Sequence, residues 1–253
     1  YRGGHIWTMY GRDADIKGRK FAESVFTRCR MLLEQAGLPD FTETSIEVIG
    51  AESHFGAARR VGSVREVDVK LAVKHPSPKG VGILLKEMVG MALTAPPGLT
   101  GFAGARPKPS PVVRLFSMVV PKAQVEVSVE LDGQVISCSD PQGKIFDPVE
   151  LTAPPVPSQE LGDDPVAVSL ESLAWGRSGD KGNKANIGII ARRQEYVPYI
   201  AAQLDEQRVA EYFAHFLDPG QNLPVQRFFL PGSNAFNFLL HDVLGGGGVA
   251  SLR

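Results

Sequence analysis

The sequence predicts a two-part α/β (α+β) protein, and three observations carry that prediction. Apolar residues recur every three to four positions in some stretches and every second position in others, so helices and strands follow one another. A proline-rich acidic stretch, 146–165, interrupts this patterning and separates two such series. With 253 residues, 43% hydrophobic and 22% charged, the chain has the size and composition of two packed globular units. The resulting layout is a first portion over 1–149, a linker over 150–165 and a smaller second domain over 166–253.

Residues 16–36 place Phe21, Val25, Phe26, Cys29, Leu32 and Leu33 at helical spacing, and Gly37 and Pro39 supply the stop. Residues 44–50 read as a short buried strand. Val67, Val69, Leu71 and Val73 alternate with Glu66, Asp68 and Lys70, the pattern of a half-buried strand. Residues 78–93 return to the helical period, with proline in the first turn, where its missing N–H does no harm. The following APPGLTGFAGARPKPSP is long for a plain connection, which leaves a binding loop and a mobile connector as its two readings. Strands are expected at 112–120 and 123–131. The second sets Val125, Val127 and Val129 inward and Glu126, Ser128 and Glu130 outward, and Asp132-Gly133 turns it into a third strand.

After the linker, the pattern predicts a strand over 166–175, a polar loop over 176–184 and a strand over 185–191. Helical stretches come next at 197–204 and 206–217; Asp205 is placed to cap the second and Asp218-Pro219-Gly220 to end it. A strand at 225–230 precedes a helix opened by Ser233 or Asn234 and carrying Phe236, Leu239, Leu240 and Val243. Gly245 to Gly248 then lead to a last strand, and no repeat of fixed period occurs.

The formal net charge of −1, with no basic stripe interleaved with aromatics, lacks the footprint of nucleic-acid binding, so no nucleic acid is expected as partner. Cys29 and Cys138 form no CxxC pair, which argues against a disulfide framework or a thiolate metal site and for a reducing, cytoplasmic setting. The longest uncharged run, 88–105, is broken by Pro96, Pro97 and several glycines, so no membrane span is expected. No basic segment followed by an apolar one opens the chain, so no secretory signal is expected. The chain starts at Tyr1 instead of Met, which raises the expectation that it is cut from something longer.

The segment most suited to chemistry is RSGDKGNKAN, 177–186, which sets two cations, a carboxylate and two amides among glycines. As a loop it could present backbone N–H groups with Arg177 and Lys181 to a carboxylate or phosphate. The other reading is a solvated turn whose charges neutralise one another. On the first reading Asp180 and Lys181 are catalytic candidates, Asp180 as acid or base. Arg177, Ser178, Gly179, Gly182, Asn183 and Asn186 are then substrate-binding candidates, joined by Asn237 from PGSNAFNFLL. No Walker A spacing fits, and the glycine clusters do not follow a strand and open a helix as a dinucleotide fingerprint must. Glu52 and His54 in AESHFG would share one side of an extended chain and could work as acid and base, or make structural hydrogen bonds. His5 and His241 have no local partner for a metal, none of which is expected, and neither GxSxG nor HExxH is present.

Taken together, WGRSGDKGNKANIGIIAR, LPGSNAFNFLLHDVLGGGGVASLR and IEVIGAESHFG resemble the acyclic terpene utilisation (AtuA-like) family. The resemblance implies that residues to about 149 end a three-layer-type α/β core domain and that those from about 166 form a ferredoxin-like α+β domain. Full members carry a further α/β segment upstream that this sequence lacks. The family is named for bacterial catabolism of acyclic terpenes such as citronellol and geraniol, where its genes accompany those of acyl-CoA carboxylation and hydration. Membership would imply a role near branched acyl-CoA or carboxylate intermediates, a small anionic ligand, no cofactor beyond a CoA thioester as substrate, and a homo-oligomer. The alternative is a non-catalytic assembly or regulatory subunit. A cleft joining 177–186 to Glu52 or His54 would favour the enzyme, and a flat apolar face would favour assembly.

Overall fold

A computed structural model of the chain describes all residues except 103, 105–106, 140–142, 144–151 and 159–165. Strand β1, Arg2–Tyr10, opens the chain; helix α1, Ala14–Gln35, and strand β2, Glu43–Ile49, come after it. Strand β3, Glu66–Lys74, leads into helix α2, Pro78–Ala92, and a short strand β4, Leu99–Thr100. The four strands form one antiparallel sheet in the order β2-β3-β1-β4, with Arg2 opposite Lys74 and Tyr10 opposite Glu66. The alternation read in β3 is realised: Val67, Val69, Leu71 and Val73 are buried with Met9, Phe21, Val25, Leu84 and Met88 beneath α1 and α2.

β1 is not apparent from the sequence, and packing explains why. A Cβ on Gly3 would lie 2.5 Å from Val81 Cγ1 of α2, so the close approach of α2 to the sheet removes a side chain that would have helped to mark a strand. Ser77 caps α2 by accepting from the Lys79 N–H at 3.2 Å, ahead of Pro78. His75 is buried between β3 and α2, where its Nδ1 accepts from Ser77 N–H and its Nε2 donates to Pro39 O, each at 2.9 Å. Cys29 is buried in the same core, and loss of solvent, with Glu87 nearby, pushes its thiol up to about 12. The long 95–111 connection is pinned to the edge of β1: Leu99 and Thr100 pair with Met9 and Thr8, and Arg2 and Ser110 exchange backbone hydrogen bonds of 2.8 and 2.9 Å.

Tyr1–Arg114 and Val156–Arg253 form one compact unit, and Leu115–Pro155 forms a second. The second unit holds a hairpin of β5, Val127–Leu131, and β6, Gln134–Cys138, turned by Asp132 and Gly133 at φ of 51° and 77° as Asp-Gly predicts. Residues 112–120 are not a strand, and 122–124 make a single 3₁₀ turn. Every residue of β5 and β6 is exposed, so the expected inward and outward valine pattern has no core to face: two strands alone cannot bury a sheet face. Of the expected linker 150–165, the structure describes 152–158; the rest lies outside the described residues.

In the C-terminal portion a short helix α3, Leu170–Leu173, takes the place of much of the strand expected over 166–175. Strands β7, Ala174–Lys181, and β8, Lys184–Ala191, are followed by helices α4, Val197–Gln203, and α5, Glu206–Phe213. Asp205 caps α5 by accepting from Arg208 N–H at 2.7 Å. Strands β9, Val225–Leu230, and β10, Ala235–Leu240, complete an antiparallel sheet in the order β7-β8-β10-β9. β10 occupies the place of the expected helix: Phe236, Phe238 and Leu240 are buried at period two, and Asn234, at φ 49°, is a turn residue. The strand expected after the glycine run does not form; Gly245, Gly246 and Gly247 turn the chain at φ of 61°, 97° and 98°. The whole is an α+β fold, and among the described residues no helix is long and apolar enough to cross a membrane.

Candidate functional site

Residues 177–186 are a hairpin instead of a loop. Pairing runs through Lys181 opposite Lys184, and Gly182, at φ 64°, holds the first position of the two-residue turn, as a type II′ turn requires. Strand alternation then sorts the candidates. Ser178 and Asp180 sit on the face shared with Ile187 and Ala185, toward the core, while Arg177, Gly179, Lys181, Lys184 and Asn186 share the opposite face with Asn237 of β10. Asn186 Nδ2 donates to Asn237 Oδ1 at 3.1 Å, and Asn186 Oδ1 is buried with no partner among the described residues. Lys181 Nζ bonds its neighbour's carbonyl, Asp180 O, at 2.8 Å, and among the described residues Asp180 forms no ion pair with Arg177 or Lys181.

Asn183 is structural. Its Nδ2 donates to Asp242 Oδ1 at 2.9 Å and its Oδ1 accepts from Gly246 N–H at 2.6 Å, which fastens the hairpin tip to the glycine run. The outer face also exposes Trp175, with Arg192 stacked 4.5 Å from its ring centre, and Ile190, Phe228 and Leu230. It is cationic near the turn and apolar at the other end, and its strand positions carry no carboxylate.

Glu52 and His54 take separate partners. Gly50 at φ 94° and Glu52 at φ 54° bend the chain, so the extended geometry in which the two would share a side does not arise. Glu52 Oε2 accepts from Arg60 N–H at 2.5 Å and Val61 N–H at 3.1 Å, and these bonds hold its carboxyl below the usual range, as a staple for the 52–61 turn. His54 Nε2 lies 3.7 Å from Glu47 Oε2, and its carbonyl accepts from His215 Nε2 at 2.9 Å.

Two clefts stand apart from the hairpin. One, of about 440 Å³, lies between the start of α1 and the turn after β2; Asp15, Arg19, Lys20, Glu52, Ser53 and Arg59 line it. The other, of about 400 Å³, lies over β1 and β3, beside Lys108, Ser110 and the residues 251–253. Arg2, Lys70, Lys108 and Arg253 line this second groove and no Asp or Glu does. Arg2 Nη1 donates to Ser251 O at 2.7 Å, Lys70 pairs with Glu47 at 3.1 Å, and Arg253 stacks 4.8 Å from the Phe216 ring centre. Each of these cations is solitary in sequence, which is why sequence reasoning passed them over. Among the described residues, no three His, Cys, Asp or Glu side chains gather as metal ligands.

Residues 1–131 match the acyclic terpene utilisation family protein AtuA. The chain belongs to this family. Residues 168–253 match the AtuA ferredoxin-like domain, which covers β7 to β10 and the helices between them. No curated protein and no solved structure is significantly similar to this AtuA-family chain. The groove of four cations therefore draws Arg2, Lys70 and Lys108 from the first matched segment and Arg253 from the second.

Proposed function

We propose that this AtuA-family chain binds an anionic small molecule, a carboxylate or CoA thioester of branched acyl type, in the groove over β1 and β3. One observation supports the reading: four cations, of which Lys70 is paired with Glu47, line a groove of about 400 Å³ with no Asp or Glu among the lining residues. An excess of positive charge in a concave, partly desolvated site attracts anions more strongly than the same charge on an open face. The acyl character of the ligand rests on the family alone. Arg177 and Lys181, on the outer face of the C-terminal sheet, are not part of this groove, and Asp180 points to the opposite side of its strand.

The test is a calorimetric and thermal-shift titration of the chain with short branched carboxylates and acyl-CoAs, since a ligand that binds only the folded state raises its melting temperature. Lys108→Ala and Arg253→Ala should each weaken binding by roughly 1.5–3 kcal/mol, the range for a charge-assisted hydrogen bond. Lys181→Ala should leave it unchanged. Affinity that falls with Lys181→Ala and not with Lys108→Ala would move the anion site to the hairpin, and no binding of any of these anions by the unaltered chain would end the proposal.

A further inference from the structure

Strand β7 borders the C-terminal sheet, and its outer edge pairs with no strand among the described residues. The register shows which backbone groups that edge presents. Lys181 and Lys184 close a two-residue turn, so they exchange both backbone hydrogen bonds, and every second pair along the ladder does the same: Gly179 with Asn186, Arg177 with Gly188, Trp175 with Ile190. The Arg192 N–H, 2.8 Å from Leu173 O, continues the same phase. Gly176, Ser178 and Asp180 therefore turn their N–H and C=O groups outward, and all three residues are exposed.

An open edge of this kind is a template for another strand, and proteins that keep one free blunt it with proline, a bulge, a short length or charge. β7 has eight residues, no proline and one-to-one pairing with β8, so charge is its remaining guard. Lys181 Nζ covers the Asp180 carbonyl at 2.8 Å, but a carbonyl has a second lone pair and still accepts a strand N–H. Side-chain charge opposes pairing only where like charges meet.

Three antiparallel registers bring the outward groups of one β7 onto those of another near mid-strand. Ser178 opposite Gly176 sets Arg177 against Arg177, and Ser178 opposite Asp180 sets Arg177 against Lys181. With Ser178 opposite Ser178, no like charges stand directly opposed. Gly176 then faces Asp180, Arg177 faces the bare Gly179, and Trp175 faces Lys181 as a cation–aromatic pair. Gly176, Ser178 and Asp180 of the two strands exchange about six backbone hydrogen bonds in that register.

We propose that a second copy of this chain pairs along β7, antiparallel about a twofold axis at Ser178, so that the C-terminal sheets of the two copies become continuous. An unrelated extended peptide would gain the same backbone bonds without any pattern in β7; the match of β7 to its own reverse favours a second copy.

Sedimentation velocity on the full chain over rising concentration should show a dimer. Trp175→Lys sets lysine against Lys181 of the second copy and, because symmetry repeats the pair, should weaken dimerisation about tenfold. Adding Lys181→Glu makes that pair attractive and should restore the dimer. Trp175 and Lys181 are exposed, and circular dichroism checks that the variants fold. In a Cys138→Ser background, which removes the exposed native thiol, Ser178→Cys should form a disulfide with its own counterpart under mild oxidation. Residues directly opposed in a hydrogen-bonded pair stand about 5.5 Å apart, within disulfide reach. Lys184→Cys, one strand further in, should not cross-link. None of these positions lines the proposed anion groove, so the two proposals fail separately. A chain that stays monomeric at every concentration, a dimer that Trp175→Lys leaves intact, a loss that Lys181→Glu does not restore, or equal cross-linking from Lys184→Cys would each overturn the proposal.

Discussion

Single side chains in this protein are set by their nearest bonds more than by their charge. Glu52 is an acid by composition and a backbone staple by position; Asn183 is an amide by composition and a fastener of the glycine run by position. Asp15 is the residue whose titration matters most. Its folded carboxyl sits below its unfolded value, so the stability it contributes is fully present above the unfolded value and is lost as pH falls through the lower, folded one. Asp15→Asn should therefore lower the melting temperature at pH 7, by about 2–4 °C for an ion pair worth ~1 kcal/mol. Below the folded value, where Asp15 is protonated in both states, the two proteins should melt together. A constant gap across that range, read by scanning calorimetry, would show that Asp15 acts through packing and not through charge.

Elements follow the sequence where one periodicity had no rival. Helices α1 and α2, strands β2, β3 and β9, and the Asp205 cap all lie within a residue or two of where their apolar spacing and caps put them. Gly18 in α1 shows what the spacing cannot reveal: a Cβ there would collide with Val69 Cγ2 of β3, so the helix lies on the sheet only because position 18 is bare. Gly18→Ala should gain about 1 kcal/mol of helix propensity and lose more, a net destabilisation of roughly 1–2 kcal/mol by urea titration, whereas an exposed helical glycine would be stabilised by the same change. The elements that misread share a cause. Phe236, Leu239, Leu240 and Val243 fit a helical spacing, Phe236, Phe238 and Leu240 fit a strand, and only pairing with β8 and β9 decides between them. In 177–186, Gly, Ser, Asp and Asn speak for a loop, yet the eight-residue pairing of β7 with β8 overrides local preference. The candidate site was less legible still. The cations of the groove come from positions 2, 70, 108 and 253, and nothing short of the fold brings them together.

At the scale of the molecule, polar contacts tie Tyr1–Arg114 to Val156–Arg253 within one compact unit. Lys74 Nζ bridges Glu43, at 2.6 Å, and Gly245 O, at 3.1 Å; Arg2 holds Ser251 O, and His215 holds the carbonyl of His54. Lys74 is 8% exposed, so removing it strands a carboxylate and a carbonyl without their donor. Lys74→Met should cost about 1–3 kcal/mol and lower a single cooperative transition shared by β1 to β4 and β7 to β10. Two separate calorimetric transitions in the unaltered chain would show instead that the segments fold independently.

The placement of the two tryptophans gives the chain its own pair of optical reporters. Trp7 stands edge-on to His5 and Phe21, with its indole N–H buried, so its emission follows the first sheet and the helices above it. Trp175 is 53% exposed beneath the Arg192 guanidinium, on the same face as Arg177. Iodide, drawn to those cations, will quench Trp175 and spare Trp7, so one cuvette can watch the open face of the C-terminal sheet and the interior of the first sheet as separate signals.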